Sequence, residues 1–521
     1  MNRRLWFVVA LAVLAGVFFR GYNLDRKAFW EDEMLGTMRM LGHTEADLVR
    51  AAPHMTRAAD VQAYLQLPER RNDRLSDTVG ALAAEDPQHP PLYYALAHLW
   101  SERFGTSPLA LRALPALFGV LALPCVFWLG CELFGSRRTA ALATALCAAA
   151  PVFVLYAQEA REYSLWTVAV LISSALFLRA CRSGSVAAWA AYAASLALGL
   201  YVYPLTALVA AGHGAFLIVE QRFRFGVVVR GYLLAVAAAA LAFAPWLAVM
   251  LASRTMHKGI AQITGGKLSP AARLAALARD LRSPFVDLGY RHAASPFAGG
   301  ATALLTLAAC GLVAYAAYAL VRTRPFRVWG FVLIALCLPF VPLFFDHGFV
   351  YQTRYFMPLL LGSLLATAAL FAAKLEAPRD PRALRAWSAA FAALLALQIA
   401  SCWRSSQADT WWTKDAERAR AVAASVDAAR APLVVSRHFV PSILSLAYYL
   451  DPRTPVRLDV RCSSCTVPTP SRADMLAATD RYGAVFELDV PQATPRDGRI
   501  AWIDPRPFPP AGARLTMFER E

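Results

Sequence analysis

Ten apolar runs, near residues 110–134, 139–157, 163–180, 186–203, 205–221, 231–251, 299–321, 328–345, 351–373 and 386–402, follow a shorter one from Leu5 to Phe19. Each of the ten has the roughly 17–25 residues that a helix needs to cross a bilayer. With the first run they make about eleven transmembrane helices, so the fold class is an α-helical polytopic membrane protein. Composition agrees: 58% of residues are hydrophobic and only 17% charged, which excludes an ordinary soluble protein. The Leu5–Phe19 run is flanked by Trp6 and Tyr22 as interfacial anchors, and no small-residue cleavage pattern follows. It reads as a retained helix rather than a signal peptide.

A net charge of +16 would suggest nucleic acid in a soluble protein. Here the arginines sit in short loops between apolar runs, where membrane orientation and anionic headgroups account for them, and no nucleic-acid partner is expected. Arg137-Arg138, Arg179 with Arg182, Arg222 with Arg224 and Arg230, Arg322 with Arg324 and Arg327, and 374–385 fall on one side, provided that 90–104 does not span. That side is cytoplasmic, with the N-terminus, and 90–104 is read as a helix lying along the outer surface. Cys125, Cys131, Cys147, Cys181, Cys310 and Cys337 lie in apolar stretches, where cysteine behaves as a small hydrophobe.

The membrane domain then covers residues 1–402, with a first outer loop at 20–107 and another at 252–298. The turns at 158–162 and 346–354 reach the same face. From Trp403 the hydropathy falls, and Leu433-Val434-Val435, Val456-Arg457-Leu458 and Ala484-Val485-Phe486-Glu487-Leu488 read as strands. Helical stretches at 415–429, 442–450 and 472–479 alternate with them, so 403–521 is expected to be a small α/β domain outside the membrane, with an irregular tail from Pro491.

Four clusters on the outer face could carry chemistry. Glu31-Asp32-Glu33 follows Phe29-Trp30 just beyond the first helix. Adjacent like charges are costly unless they meet a cation, a basic group or a proton to be transferred, although a solvated loop is the plain alternative. Asp86-Pro87-Gln88-His89-Pro90-Pro91-Leu92-Tyr93-Tyr94 leads stiffly into a helix and offers His89 to a phosphate oxygen. In Gln158-Glu159-Ala160-Arg161-Glu162-Tyr163, Glu159 and Tyr163 share a face if the helix continues. Either Arg161 pairs with a neighbouring glutamate, or it holds a phosphate while Glu159 takes Mg²⁺ or Mn²⁺. Arg354, above an apolar helix, either forks onto a lipid phosphate or simply snorkels. His213, inside a span, reads as a hydrogen-bonded core histidine. Cys462 and Cys465 read as a local disulfide, with free thiols or a metal as the alternatives.

In order, Asp32-Glu33, His89-Pro90-Pro91-Leu92-Tyr93-Tyr94, Phe104-Gly105 with Leu111-Arg112-Ala113-Leu114-Pro115, Gln158 to Tyr163, and Arg354-Tyr355-Phe356-Met357-Pro358 resemble the bacterial GT-C glycosyltransferases. The specific likeness is to protein O-mannosyltransferase-like proteins and the aminoarabinose transferases that modify lipid A, a glycosyltransferase family 39-like group. The resemblance implies that Asp32 is the catalytic carboxylate, Glu33 its partner and Glu159 a second, metal-binding acid. It also implies substrate and phosphate contacts from His89, Tyr93, Arg161, Tyr163, Arg354 and Tyr355. The sequence departs from the pattern at His89, where the aminoarabinose transferases have lysine, and at Glu159, where those relatives have aspartate.

Such enzymes take a sugar from a polyprenyl-phosphate donor whose tail stays among the membrane lipids, and pass it with inversion to a glycolipid, a cell-envelope glycan or a protein. The expected location is the bacterial inner membrane, with the site on the periplasmic face. The rival reading is a transporter or flippase of lipid-linked sugars, for which ionisable residues near the midplane and repeated halves would be expected. The sequence has its acids at helix ends and no repeat.

Overall fold

The computed structural model describes all residues except 1–2, 68–73, 254–268, 288, 290–299, 346–351, 377–379, 410, 412–416, 437–439, 459–483, 489–499 and 504–521. Among the described residues seven helices are long and apolar enough to cross a membrane: Pro108–Phe134, Tyr163–Ser183, Val227–Ala252, Gly300–Thr323, Phe326–Leu343, Thr353–Glu376 and Pro381–Ser406. Shorter apolar helices form at Leu5–Gly21, Val186–Val202 and Thr206–Glu220. The Thr353–Glu376 helix is almost wholly enclosed by its neighbours and forms the centre of the bundle. Around it His213 stacks on Phe177 at 4.5 Å and bonds to Tyr192 and Ser174, the satisfied core histidine expected from the sequence.

The described parts of the apolar runs are therefore helices, but among them two are not straight. Residues 139–157 divide into Arg137–Ala149 and Pro151–Ala157, bent by 61°. Pro151 explains the break, since it has no N–H to donate and its ring clashes with the preceding turn. Within Phe326–Leu343, residues Phe331–Cys337 are π-helical and Leu338–Phe340 tighten into a 3₁₀ turn at Pro339. Residues Pro91–Phe104 form a 14-residue helix, too short to span.

The helix α1 (Arg3–Gly21) leads into an extended loop and then α2 (Glu31–Met40), which begins with the three carboxylates. Negative side chains in a first turn complement the helix dipole.

Beyond Ser406 the described residues form a four-stranded parallel sheet of order β2-β1-β3-β4, with β1 Pro432–Ser436, β2 Val456–Leu458, β3 Ala484–Leu488 and β4 Ile500–Ile503. Helices Glu417–Asp427 and Val440–Ala447 accompany it. The first three strands match the sequence reading; β4 corrects it, because it lies in the tail taken as irregular. The expected helix at 472–479 and the pair Cys462 and Cys465 lie outside the described residues.

This domain grips the loop between α1 and α2. The Ala28 N–H donates to Asp409 O at 2.9 Å, Trp411 Nε1 donates to Ala28 O at 2.8 Å, and the Phe29 N–H donates to the Tyr449 hydroxyl at 2.6 Å. Further along, Gln62 Nε2 donates to the carbonyls of Ala447 and Leu450, and the Val456 N–H to that of Thr56.

Candidate active site

The neighbouring carboxylates of α2 point to different surroundings. Glu33 is fully buried and takes two hydrogen bonds from Arg112, at 2.8 Å and 2.6 Å, and one from the Ala160 N–H at 2.8 Å. Arg112, also fully buried, spends its other donors on the carbonyls of Leu24, Lys27 and Ala28. A buried ion pair is tolerable only when its remaining hydrogen-bonding capacity is used, and here it is. The pair thus joins α2, the preceding loop, the Pro108–Phe134 helix and the 158–162 turn. Asp32 faces the surface, about a third exposed, and its Oδ2 lies 2.9 Å from Arg354 Nη1.

The Pro151–Ala157 helix stops before the turn, so Glu159 and Tyr163 do not share one continuous helix. Arg161 donates to the Asp32 carbonyl at 3.1 Å and pairs with Glu162 at 3.3 Å. His89 joins the same group, its Nδ1 2.9 Å from Glu162 Oε1 and its Nε2 3.1 Å from Arg161 Nη2. If Nδ1–H donates to Glu162, Nε2 is left to accept from Arg161, so the network selects that tautomer. Burial alone would raise the Glu162 pKa, but Arg161 and His89 outweigh it and hold the carboxyl at about 2. Tyr94 adds a hydroxyl contact to Glu162 at 3.3 Å.

Arg354 sits in a 3₁₀ turn, Thr353–Phe356, which is fixed by a 2.8 Å bond from the Thr353 hydroxyl to Asp280. Its guanidinium lies over the rings of Tyr163, Tyr355 and Trp30 at 5.4, 5.5 and 5.9 Å. Tyr355 stacks on Tyr203, which in turn stacks on His89. The Tyr163 hydroxyl and Arg354 Nε are buried and have no hydrogen-bond partner among the described residues.

The structure therefore brings together Asp32, His89, Arg161, Tyr163, Arg354 and Tyr355. Tyr93 is buried edge-to-face on Tyr94 and lines a narrow cavity with Gly36, Thr37 and Leu114; it is Tyr94 that reaches Glu162. Glu162 is the neighbouring glutamate of the pairing that the sequence offered for Arg161, whereas the parts of Arg112 and Tyr203 do not follow from the sequence reading. An arginine inside an apolar run was the available signal for Arg112, since such a charge needs a partner.

Glu159 is fully buried, within electrostatic reach of Arg112 and Arg354. Mg²⁺ or Mn²⁺ calls for several hard oxygens. Among the described residues no three His, Cys, Asp or Glu side chains converge. The charge of Glu159 is met by Arg112 and Arg354, and no step is routed through a divalent ion.

Residues 88–248, which contain His89, Arg112 and the 158–162 turn, match the family model of dolichyl-phosphate-mannose-protein mannosyltransferases. No curated protein matches the chain. Among solved structures, ArnT from Cupriavidus metallidurans in the apo state is similar with a TM-score of 0.50 at 15% identity, covering 86% of this chain and 84% of ArnT. The same protein bound to undecaprenyl phosphate gives 0.49 at 15% identity over the same shares. The archaeal oligosaccharyltransferase AglB from Archaeoglobus fulgidus, in complex with an inhibitory peptide and a dolichol-phosphate, gives 0.43 at 14%, covering 86% of this chain and 64% of AglB. The chain has the GT-C fold of ArnT.

Proposed function

We propose that this multi-pass membrane protein of GT-C fold is a glycosyltransferase of the bacterial inner membrane, moving a sugar from a polyprenyl-phosphate donor to an acceptor on the periplasmic face. The family model matching residues 88–248 describes enzymes of that donor class. The observation that carries the reading is the surface-facing Asp32 carboxylate held 2.9 Å from Arg354, with Arg161 bonded to the Asp32 backbone. One acid and two guanidiniums stand together at one end of the bundle, and a site at a helix end suits a lipid-borne phosphate whose tail stays in the bilayer.

The chemistry follows from that grouping. The acceptor oxygen attacks the anomeric carbon from the face opposite the phosphate, the bond from that carbon to the phosphate oxygen breaks with inversion, and Asp32 takes the acceptor proton. General-base assistance of this kind is worth about 10²–10⁴-fold. Arg161 and Arg354 neutralise the departing phosphate, and the Tyr163 hydroxyl and Arg354 Nε offer it unused donors. Arg354 is paired with Asp32. An arriving phosphate competes for that guanidinium and so leaves Asp32 more basic, coupling donor binding to activation of the acceptor.

Glu33 acts as an anchor through Arg112 rather than on the substrate, and His89 orients Arg161 rather than donating to phosphate itself. The acceptor is a glycolipid, an envelope glycan or a protein; if its nucleophile is a phosphate oxygen, Asp32 orients it and removes no proton. The transporter reading gains nothing, because the charged cluster lies at helix ends rather than at the midplane.

The test uses purified protein in detergent with a panel of polyprenyl-phosphate sugars, following loss of each donor. Asp32→Asn is expected to lose at least 10²-fold in turnover while remaining folded. EDTA is expected to leave wild-type turnover unchanged. Wild-type turnover in Asp32→Asn would remove the catalytic assignment, and loss of activity with EDTA would restore a cation at Glu159.

A further inference from the structure

The two halves of the proposed site hang on two helix ends, α1 leading to Asp32 and Pro151–Ala157 leading to Arg161. The last four carbonyls of any helix lack intrahelical donors, and within a membrane no water is at hand to replace them. At the end of Arg137–Ala149 these belong to Leu146, Cys147, Ala148 and Ala149, and Pro151 has no N–H to offer. Each is met by a side chain. Leu146 O accepts from Gln398 Nε2 at 3.2 Å, and Ala149 O from Cys402 Sγ at 3.4 Å. Arg20 serves the other two, with Nη2 3.3 Å from Cys147 O and Nη1 2.7 Å from Ala148 O.

Arg20 is 1% exposed. Among the described residues no carboxylate acts on it, so the negative end of the broken helix is its counter-charge. Space for it depends on glycine: a Cβ at Gly119 would come within 3.1 Å of Arg20 Nε and 2.6 Å of Ala157 Cβ, and one at Gly16 within 2.3 Å of Ala148 O. At the far end of Pro151–Ala157, Gln158 Nε2 donates to Phe19 O at 2.6 Å and Tyr22 O at 3.1 Å, while Lys27 Nζ donates to Gln158 Oε1 at 3.0 Å.

From this we infer that Arg20 and Gln158 are positioning residues, a two-point clamp holding the Pro151–Ala157 half-helix against α1 and so setting Asp32 relative to Arg161. The kinetic part rests on the glycosyltransferase reading; the clamp itself does not. A displacement of about 1 Å in such an alignment costs on the order of 10²-fold in rate. Arg20→Met and Gln158→Leu are each expected to lower kcat at least tenfold while the donor KM stays within threefold, and Arg20→Lys is expected to recover most of the loss. In parallel, hydrogen exchange on the full-length protein in detergent is expected to speed up at 151–162 in both variants, with the remaining helices unchanged. Should Arg20→Met fail to fold, Gln158→Leu and Arg20→Lys carry the test. Unchanged exchange at 151–162 overturns the clamp. So does a kcat that falls only in step with the folded fraction. Faster exchange together with no transfer by the wild type from any donor would keep the clamp and reject the glycosyltransferase reading.

Discussion

At the scale of single residues, adjacent acids on α2 have separate tasks because a helix turns about 100° per residue. Glu33 goes inward to Arg112 and Asp32 outward to Arg354. Removing Arg112 would strand a buried carboxylate, so Arg112→Met is expected to destabilise the protein by about 3–5 kcal/mol. Denaturant unfolding in detergent measures it, and a loss below about 1 kcal/mol would deny the anchor. Glu162 allows a pH experiment. Its folded pKa, about 2, lies below the ordinary 4.5, so its contribution to stability is complete above pH 4.5 and lost as pH falls through 2. The Tm gap between wild type and Glu162→Gln is therefore expected to be constant above pH 5 and to close towards pH 2. Sequence marked Asp32, Arg161 and Arg354 because charged groups at helix ends on one face are few. It chose Tyr93 over Tyr94 because the facing of two adjacent tyrosines depends on how the helix from Pro91 docks, which only packing decides.

At the scale of elements, the apolar runs were legible because hydrocarbon admits so few alternatives to a helix. Their interruptions were less so. Pro151 was visible, but proline also occurs within the continuous Pro108–Phe134 helix, at Pro115 and Pro124. Whether a proline bends or breaks a helix depends on whether the freed carbonyls find donors, and those come from α1 and from Pro381–Ser406. β4 escaped notice because a four-residue strand among prolines has little pattern of its own. The close approach at the break can be probed from a third helix. Gly119→Val places atoms where Ala157 and Arg20 lie, and overpacking is expected to cost about 1–3 kcal/mol, read as a lower Tm with reduced turnover. An unshifted Tm would mean the helices can part without cost.

At the scale of the whole molecule, the bundle has two unlike ends. Asp32, Arg161 and Arg354 share one, while Arg182 pairs with Glu132 and Arg327 with Glu220 at the other. The basic end is proposed as cytoplasmic. An epitope inserted at Ser183–Gly184 is expected to resist protease in intact spheroplasts and to be cut after permeabilisation, whereas the domain beyond Ser406 is expected to be cut in both. The reverse pattern would invert the topology. The α/β character of that domain was legible, but its hold on the loop before α2 was not, since contacts between positions 383 and 420 apart leave no local trace. That hold also orders events in time. The segment carrying Asp32 leaves the ribosome well before the partners of its backbone at Asp409, Trp411 and Tyr449. A nascent chain can thus thread many of its helices while its proposed reactive loop still lacks these restraints, which form only once residue 449 has been made.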